Sequence, residues 1–488
     1  MNLKNVLIAK NASILLVTDV VSKALLTVLT IVIGRKLGAS DLGLLKYAIA
    51  FAGMFSFLPN AGFKQYINRE VSKFPEKSGV YFSNLAGIKL ILSLITFLII
   101  YLSAFATHVT HEEFLILCIA AWIMLLDSFI QFYTAFFRGF QKSQYEALVI
   151  ISQNFLVAST GIVIVVMGYG LLLMMIVRLA ITVTMVIAGF LLLKSRIIHP
   201  PFTINFEFCR KLVRSAIPFT ILTILVVINA HIGIVLLKNF KGTDYTGFYG
   251  AALSLCGIFQ FIPQSVAGAI LPAMARYAKE KNTKGLQEIF SRSIKYLLIL
   301  VFPIAAGTTL LADKLILMIY GELFVQSILT LRILIWIVVL SFTNSIFNVA
   351  FASIDLEKKF VRVQIMGTVS NISLCIVLIP IFAHNGVAAA AIVSQLMVFI
   401  VSSFYLSRLY EQVKFSAFGW KVLAAAVVMV VGISLTSSLH LFFNIGLAIP
   451  VYACSLFLFK VFDAQEIDML KSGIARVVSV VKSHSSNS

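Results

Sequence analysis

Fourteen runs of apolar residues, each about 18 to 23 residues long, constrain this chain more than any other feature. A run of that length crosses the roughly 30 Å hydrocarbon core of a bilayer as an α-helix rising 1.5 Å per residue. The runs lie at 13–33, 43–63, 83–106, 114–136, 148–167, 171–193, 215–237, 248–270, 293–311, 326–346, 363–383, 386–406, 418–438 and 445–462. The tightest junction is Gly168-Tyr169-Gly170, between the fifth and sixth. With 60% hydrophobic and 12% charged residues, a water-soluble body of 488 residues would lack polar groups to cover its surface. The chain is expected to be an all-α integral membrane protein of about 14 transmembrane helices.

A net charge of +19 would suggest nucleic acid as a partner of a soluble protein, but its distribution gives another meaning here. With the N-terminus placed in the cytoplasm, 29 of the 39 Lys and Arg residues fall on that side. The opposite side holds six, Arg35, Lys36, Lys46, Lys238, Lys241 and Lys314, while Lys23, Lys89, Arg178 and Arg332 lie inside spans. Positive charge stays on the cytoplasmic side of membrane proteins, so both termini are expected there, and no nucleic acid is expected. The first span carries Asp19 and Lys23 at its middle and no small-x-small cleavage site, so it is expected to be retained.

Gly38, Gly43, Gly53, Phe55, Phe57 and Pro59 recur 204 positions later as Gly242, Gly247, Gly257, Phe259, Phe261 and Pro263. Glycine and proline carry backbone meaning, so six identities at one offset mark a duplication. A weaker echo at offset 216 matches Gly170, Ile176 and Val177 with Gly386, Ile392 and Val393. Two six-span sets that begin on the same side are related by an axis along the membrane normal, which leaves a cleft between them. The expected division is an N-lobe over 1–200, a C-lobe over 201–407, two extra helices over 408–462 and a cytoplasmic tail over 463–488. Within the tail, Ile467–Val481 reads as an amphipathic surface helix.

Gly34-Arg35-Lys36-Leu37-Gly38-Ala39-Ser40-Asp41-Leu42-Gly43-Leu44 after the first span, Ala216-Ile217-Pro218, and Thr243 to Tyr249 after the seventh resemble the polysaccharide transporter (Wzx-type flippase) family of the MOP superfamily. The likeness covers about residues 5–460. It implies alternating access between two lobes, moving an undecaprenyl-pyrophosphate-linked oligosaccharide, an O-antigen or capsule repeat unit, from the cytoplasmic to the periplasmic leaflet of a bacterial inner membrane. A polysaccharide polymerase and a chain-length regulator would be its protein partners.

Independently of that likeness, buried charges point to an ionic site. A charge at the bilayer centre costs roughly 3 kcal/mol, so each needs a partner, water or a ligand. Arg178, about 12 Å below the nearer end of its span, is the leading candidate for a phosphate, since a guanidinium forks onto phosphate oxygens. Lys23 and Lys89 are further substrate candidates. Lys23 stands i,i+4 from Asp19 and can simply neutralise it, while Lys89 is close enough to the end of its span to snorkel. Asp19, Asp127 and His231 are candidates for ion coupling or gating; Asp127 has no basic residue within a turn and is expected to pair with Lys23, Lys89 or Arg178. Gln131, Gln153 and Asn154 add uncharged hydrogen-bonding groups whose ordinary role is to join helices.

Five cysteines without paired spacing indicate neither a disulfide framework nor a metal, and no cofactor is indicated. No Walker sequence is present and the longest loop, 194–214, has about 21 residues, so the expected activity is transport and not catalysis. The competing functions are a cation-coupled multidrug exporter of the MATE branch, a lipid II flippase and a non-transporting scaffold for polysaccharide assembly. An exporter of cations favours an acidic cavity, whereas the N-lobe buries three cations against two carboxylates.

Overall fold

The computed structural model describes residues 3–107, 109–198, 205–407, 415–436, 441–463 and 466. Its N-terminal half contains α1 (Leu3–Met54), α2 (Phe57–Asn60), α3 (Phe63–Lys73), α4 (Ser78–Ala106), α5 (His111–Gly139), α6 (Ser143–Val166) and α7 (Leu171–Arg196). The C-terminal half contains α8 (Phe206–Lys241), α9 (Thr243–Gly257), α10 (Phe261–Lys279), α11 (Thr283–Leu310), α12 (Ala312–Tyr320), α13 (Ser327–Ser353) and α14 (Glu357–Ser407). Two further helices follow, α15 (Phe415–Leu435) and α16 (Leu441–Leu458). No strand occurs among the described residues. The surface helix expected over Ile467–Val481 lies outside them.

Eleven of these segments are long and apolar enough to cross a membrane, or 12 if the bent segment from Thr243 to Lys279 counts as one crossing. Two pairs of the expected runs follow each other without a connecting loop: α1 is two helices joined at the non-helical backbone of Gly38, and the 51-residue α14 is two joined at that of Ala383. The fifth and sixth runs are separate helices, because Gly168 turns left-handed (φ 86°) and the Tyr169 N–H closes back on the Ile164 carbonyl at 3.1 Å.

The duplicated motif has a duplicated backbone. Gly38 sits at φ 88°, ψ −172° and Gly242 at φ 91°, ψ −174°, a conformation that only glycine adopts freely. The second part of the motif breaks the helix in both halves: α1 ends at Met54 before α2 begins at Phe57, and α9 ends at Gly257 before α10 begins at Phe261. Between α2 and α3 the chain makes two consecutive left-handed residues, Ala61 and Gly62.

Close packing joins the halves along a seam between α1 and α9. A Cβ on Gly43 would stand 1.9 Å from the Thr243 carbonyl oxygen, and one on Gly247 would stand 2.0 Å from that of Ala39. Since 39 and 43 become 243 and 247 at offset 204, each half presents the same glycine to the same carbonyl of the other. That reciprocity is the signature of a two-fold interface. Polar contacts flank it. Ser40 Oγ lies 2.9 Å from Thr243 Oγ1, Arg35 donates to the Met318 carbonyl, and Lys238 Nζ lies 3.0 Å from Glu113 Oε2, over the Tyr47 ring.

The outward faces are apolar, as lipid contact requires; on α4 the exposed residues include Leu90, Leu94, Leu98 and Leu102. Helices α15 and α16 form their own core around Val422, Met429 and Tyr452 and dock on α11, where the Tyr452 hydroxyl donates to the Ile299 carbonyl at 2.9 Å. Glu466, only 3% exposed, binds Lys295 at 2.6 Å and the Tyr296 hydroxyl at 2.9 Å, tying the chain beyond α16 to α11.

Candidate functional site

Depth follows from helix arithmetic. On α5, Asp127 lies 16 residues from His111 and 12 from Gly139, which puts it near mid-membrane. On α7, Arg178 lies seven residues below Leu171, about 10 Å from the seam end. These two and His231, from α8, line one cavity of about 160 Å³ together with Ile49, Gly53, Ser56, Asn60 and Gln131. The sequence placed these three candidates more than a hundred residues apart in part, and the fold brings them to one wall. His231 reaches it because Gly53 has no side chain: a Cβ there would stand 2.7 Å from His231 Nε2.

Asp127 makes none of the expected ion pairs among the described residues. Its Oδ1 accepts from Gln153 Nε2 at 2.7 Å, while Arg178 acts on it only through space. A neutral amide can satisfy one carboxylate oxygen without cancelling its charge. Arg178 is left without an ion-pair partner among the described residues.

Lys89 does not snorkel. It is 1% exposed, because its Nζ donates to the Pro59 carbonyl at 2.8 Å and to Asn60 Oδ1 at 3.3 Å, beneath the rings of Phe129 and Phe132. Pro59 lies where the helix is interrupted, so its carbonyl is one that the helix cannot satisfy, and Lys89 fills that need. Its link to the cavity runs through Asn60.

Asp19 and Lys23 lie elsewhere. They sit within electrostatic reach of each other but form no direct ion pair among the described residues, and Asp19 is exposed. Asp19 also acts on Lys64 and Arg138 at the far end of α5, where Arg138 grips the buried Glu146 through Nε at 2.7 Å and Nη2 at 2.6 Å.

The sequence also missed a residue. Lys46 was counted with the charges outside the membrane, but it lies on α1 eight residues below Gly38, about 12 Å, at the same depth as Arg178. The two cations act on each other, and the Lys46 stem rests on Gly250 of α9, where a Cβ would stand 2.7 Å from its Cγ. The signal was present: Gly43, Lys46, Ile49 and Gly53 recur at helical spacing and share a face.

A second space lies in the C-terminal half. It is a partly open space of about 840 Å³ between α9, α11, α12, α13, α15 and α16, and its walls are almost wholly apolar, among them Leu300, Ile304, Leu331, Ile335, Met429 and Ile449.

A family model described as "Polysaccharide biosynthesis protein" matches residues 8–278, more than half of the chain. The chain belongs to this polysaccharide transporter family of the MOP superfamily. A second model, "Lipid II flippase MurJ", matches residues 146–459. The chain is also similar to the "Probable low-salt glycan biosynthesis flippase Agl15" of Haloferax volcanii, 22% identical over 448 residues, covering 87% of this chain and 90% of that one. Among solved structures, the lipid II flippase MurJ in an inward closed conformation is 16% identical and covers 91% of this transporter and 98% of its own chain, with a TM-score of 0.74. An inward-facing multidrug MATE transporter of the MOP superfamily is 17% identical, with coverages of 80% and 96% and a TM-score of 0.66. At such identities both likenesses establish the fold alone. This polysaccharide transporter is a multi-pass membrane protein, and the relatives named are flippases and transporters.

Proposed function

We propose that this chain flips an undecaprenyl-diphosphate-linked oligosaccharide, such as an O-antigen or capsule repeat unit, from the cytoplasmic to the periplasmic leaflet of a bacterial inner membrane. The observation that carries the reading is Arg178, a cation in a mid-membrane cavity with no ion-pair partner among the described residues. A charge so placed is costly unless an anion, or water, visits it. Three groups of the cavity then divide the work: Arg178 receives the phosphate, Asp127 supplies the counter-charge to it, and Asp127 and His231 are the groups open to a coupling ion. The apolar space of about 840 Å³ supplies room for part of the polyprenyl chain.

On this reading α1 and α14 each cross the bilayer twice, giving fourteen crossings with both termini cytoplasmic, in accord with the lysine and arginine asymmetry. Residues 1–200 and 201–407 rock as two lobes about the α1–α9 seam, which seals the periplasmic end. Asp19 and Lys23 sit near the cytoplasmic mouth, and a polymerase and a chain-length regulator take the product. The MurJ model match favours one variant of the same chemistry, in which the cargo is lipid II.

The test uses proteoliposomes carrying a fluorescent polyprenyl-diphosphate saccharide, with dithionite reporting leaflet exposure. Wild type is expected to equilibrate the lipid, Arg178→Ala to lose that activity, and Arg178→Lys to recover part of it. A fully active Arg178→Ala protein ends the reading.

A further inference from the structure

Along α1 one helix face reads, from the seam inward, Gly43, Lys46, Ile49 and Gly53. Gly43 packs on the Thr243 carbonyl, Ile49 and Gly53 line the cavity, and Lys46 stands between them. Lys46 stands one turn above the cavity wall at Ile49, close to the depth of Arg178, on which it acts. Neither cation forms an ion pair among the described residues, and the only cavity carboxylate, Asp127, is occupied on one oxygen by Gln153. Two cations that act on each other, one of them beside a half-engaged carboxylate, leave positive charge for a ligand to balance. Two charges on the ligand answer two cations better than one does.

The placement of Lys46 depends on the other half of the molecule. Its stem crosses Gly250 of α9 so closely that one methyl group there would collide with it. When α9 moves away, that flexible four-carbon stem loses the Gly250 surface it packs on.

We propose that Lys46 is the second cation of the anion site, held over it by Gly250 only while the α1–α9 seam is closed, so that opening the seam loosens the grip on a doubly charged headgroup. This rests on the flippase reading above and adds to it a device for release: the site binds tightly with the seam shut and weakly with it open. The ligand class it selects is a polyprenyl diphosphate over a polyprenyl monophosphate.

The full-length chain in nanodiscs is titrated with farnesyl diphosphate, farnesyl phosphate and farnesol. Wild type is expected to prefer the diphosphate. Lys46→Met is expected to weaken diphosphate binding about tenfold, the loss of one charge-assisted hydrogen bond, with a smaller effect on the monophosphate and none on farnesol. Gly250→Ala keeps every charge but displaces the Lys46 stem, and Gly43→Ala parts the seam. Both are expected to weaken the diphosphate alone, by about threefold, part of the tenfold expected for losing the charge. Farnesol binding is the control for folding. If Arg178→Ala loses diphosphate binding but Lys46→Met stays within twofold of wild type, Lys46 is no ligand, and the proposal is overturned while the flippase reading stands. If Gly43→Ala and Gly250→Ala both bind diphosphate as wild type does, the dependence on the seam is overturned. If wild type binds farnesol and farnesyl diphosphate equally, the flippase reading itself fails.

Discussion

The space around Arg178 and Asp127, walled mostly by the N-terminal half, is small and polar, about 160 Å³; a larger one between the C-terminal half and α15 and α16 is about 840 Å³ and walled by leucine, isoleucine and other apolar residues. Yet the halves share their backbone devices. Gly38 and Gly242 have the same left-handed geometry, and Gly43 and Gly247 contact each other's half in the same way. Interface residues are tied to a partner that is a copy of themselves, whereas interior residues answer only to what they enclose. Duplication therefore preserved the seam and let the interiors diverge into a polar site and an apolar one.

The comparison can be broken at the seam, where the largest effect is expected. If the two glycines are equivalent, Gly43→Ala and Gly247→Ala should impair flipping to a similar degree, by tenfold or more, since each forces a methyl group onto a backbone oxygen and backbone cannot swing aside. Overpacking of this kind costs about 1–3 kcal/mol. Strongly unequal defects in the liposome assay would deny the two-fold equivalence.

A smaller effect should sharpen the contrast between the interiors. Gly307 borders the apolar space, and a Cβ there would meet only Met429 Cε at 3.8 Å, so Gly307→Leu fills the space without rebuilding its wall. Flipping of a long-chain polyprenyl substrate should fall severalfold while farnesyl diphosphate affinity stays unchanged. Equal losses for long and short chains would show that this space is not reserved for the lipid.

Lys89→Met probes whether a buried cation in the polar half must be a ligand. The Pro59 carbonyl loses its donor, which costs about 1–3 kcal/mol of stability, and diphosphate affinity should change little. Lost affinity at unchanged thermal stability would return Lys89 to the ligand site.

The smallest effect concerns pH. Burial by itself would raise the Glu466 carboxyl, but hydrogen bonds from Lys295, the Asp463 N–H and Tyr296 outweigh it and hold the group below the usual glutamate range. A depressed carboxylate stabilises the fold above its unfolded pKa, near 4.3, and that contribution disappears as pH falls through the lower folded value. The acid limb of thermal stability should therefore flatten in Glu466→Gln; an unchanged limb would assign it to other carboxylates.

Much of this was legible from the chain itself. Glycine and proline announced the duplicated turn because few other residues tolerate such backbone, and hydropathy announced the helices because lipid imposes their length. Arg178 and Asp127 stood out because a charge among apolar residues has few places to go. Lys46 did not, because a count of charges by loop places a lysine near a span's end outside the membrane, although the 43–63 run and its helical spacing with Gly43, Ile49 and Gly53 already set it on their face. Lys89 misled for a related reason: its partner is a backbone carbonyl freed by a helix break, and no side chain advertises that. The apolar space was invisible in the sequence, since residues that face a cavity and residues that face lipid are the same residues.

Glu466 also has a bearing on how the molecule is made. Its partner Lys295 lies 171 residues earlier in the chain and is 8% exposed. Ribosomes add about 5–20 residues per second, so α11 waits roughly 9 to 34 s for the carboxylate that neutralises it. Through that interval its lysine has to stay near water or charged lipid, and α11 cannot settle fully among its neighbours. Completion of the C-terminal half is thereby timed to the arrival of the last membrane helices, and a nascent chain cut short of Glu466 carries an unanswered charge that marks it as unfinished.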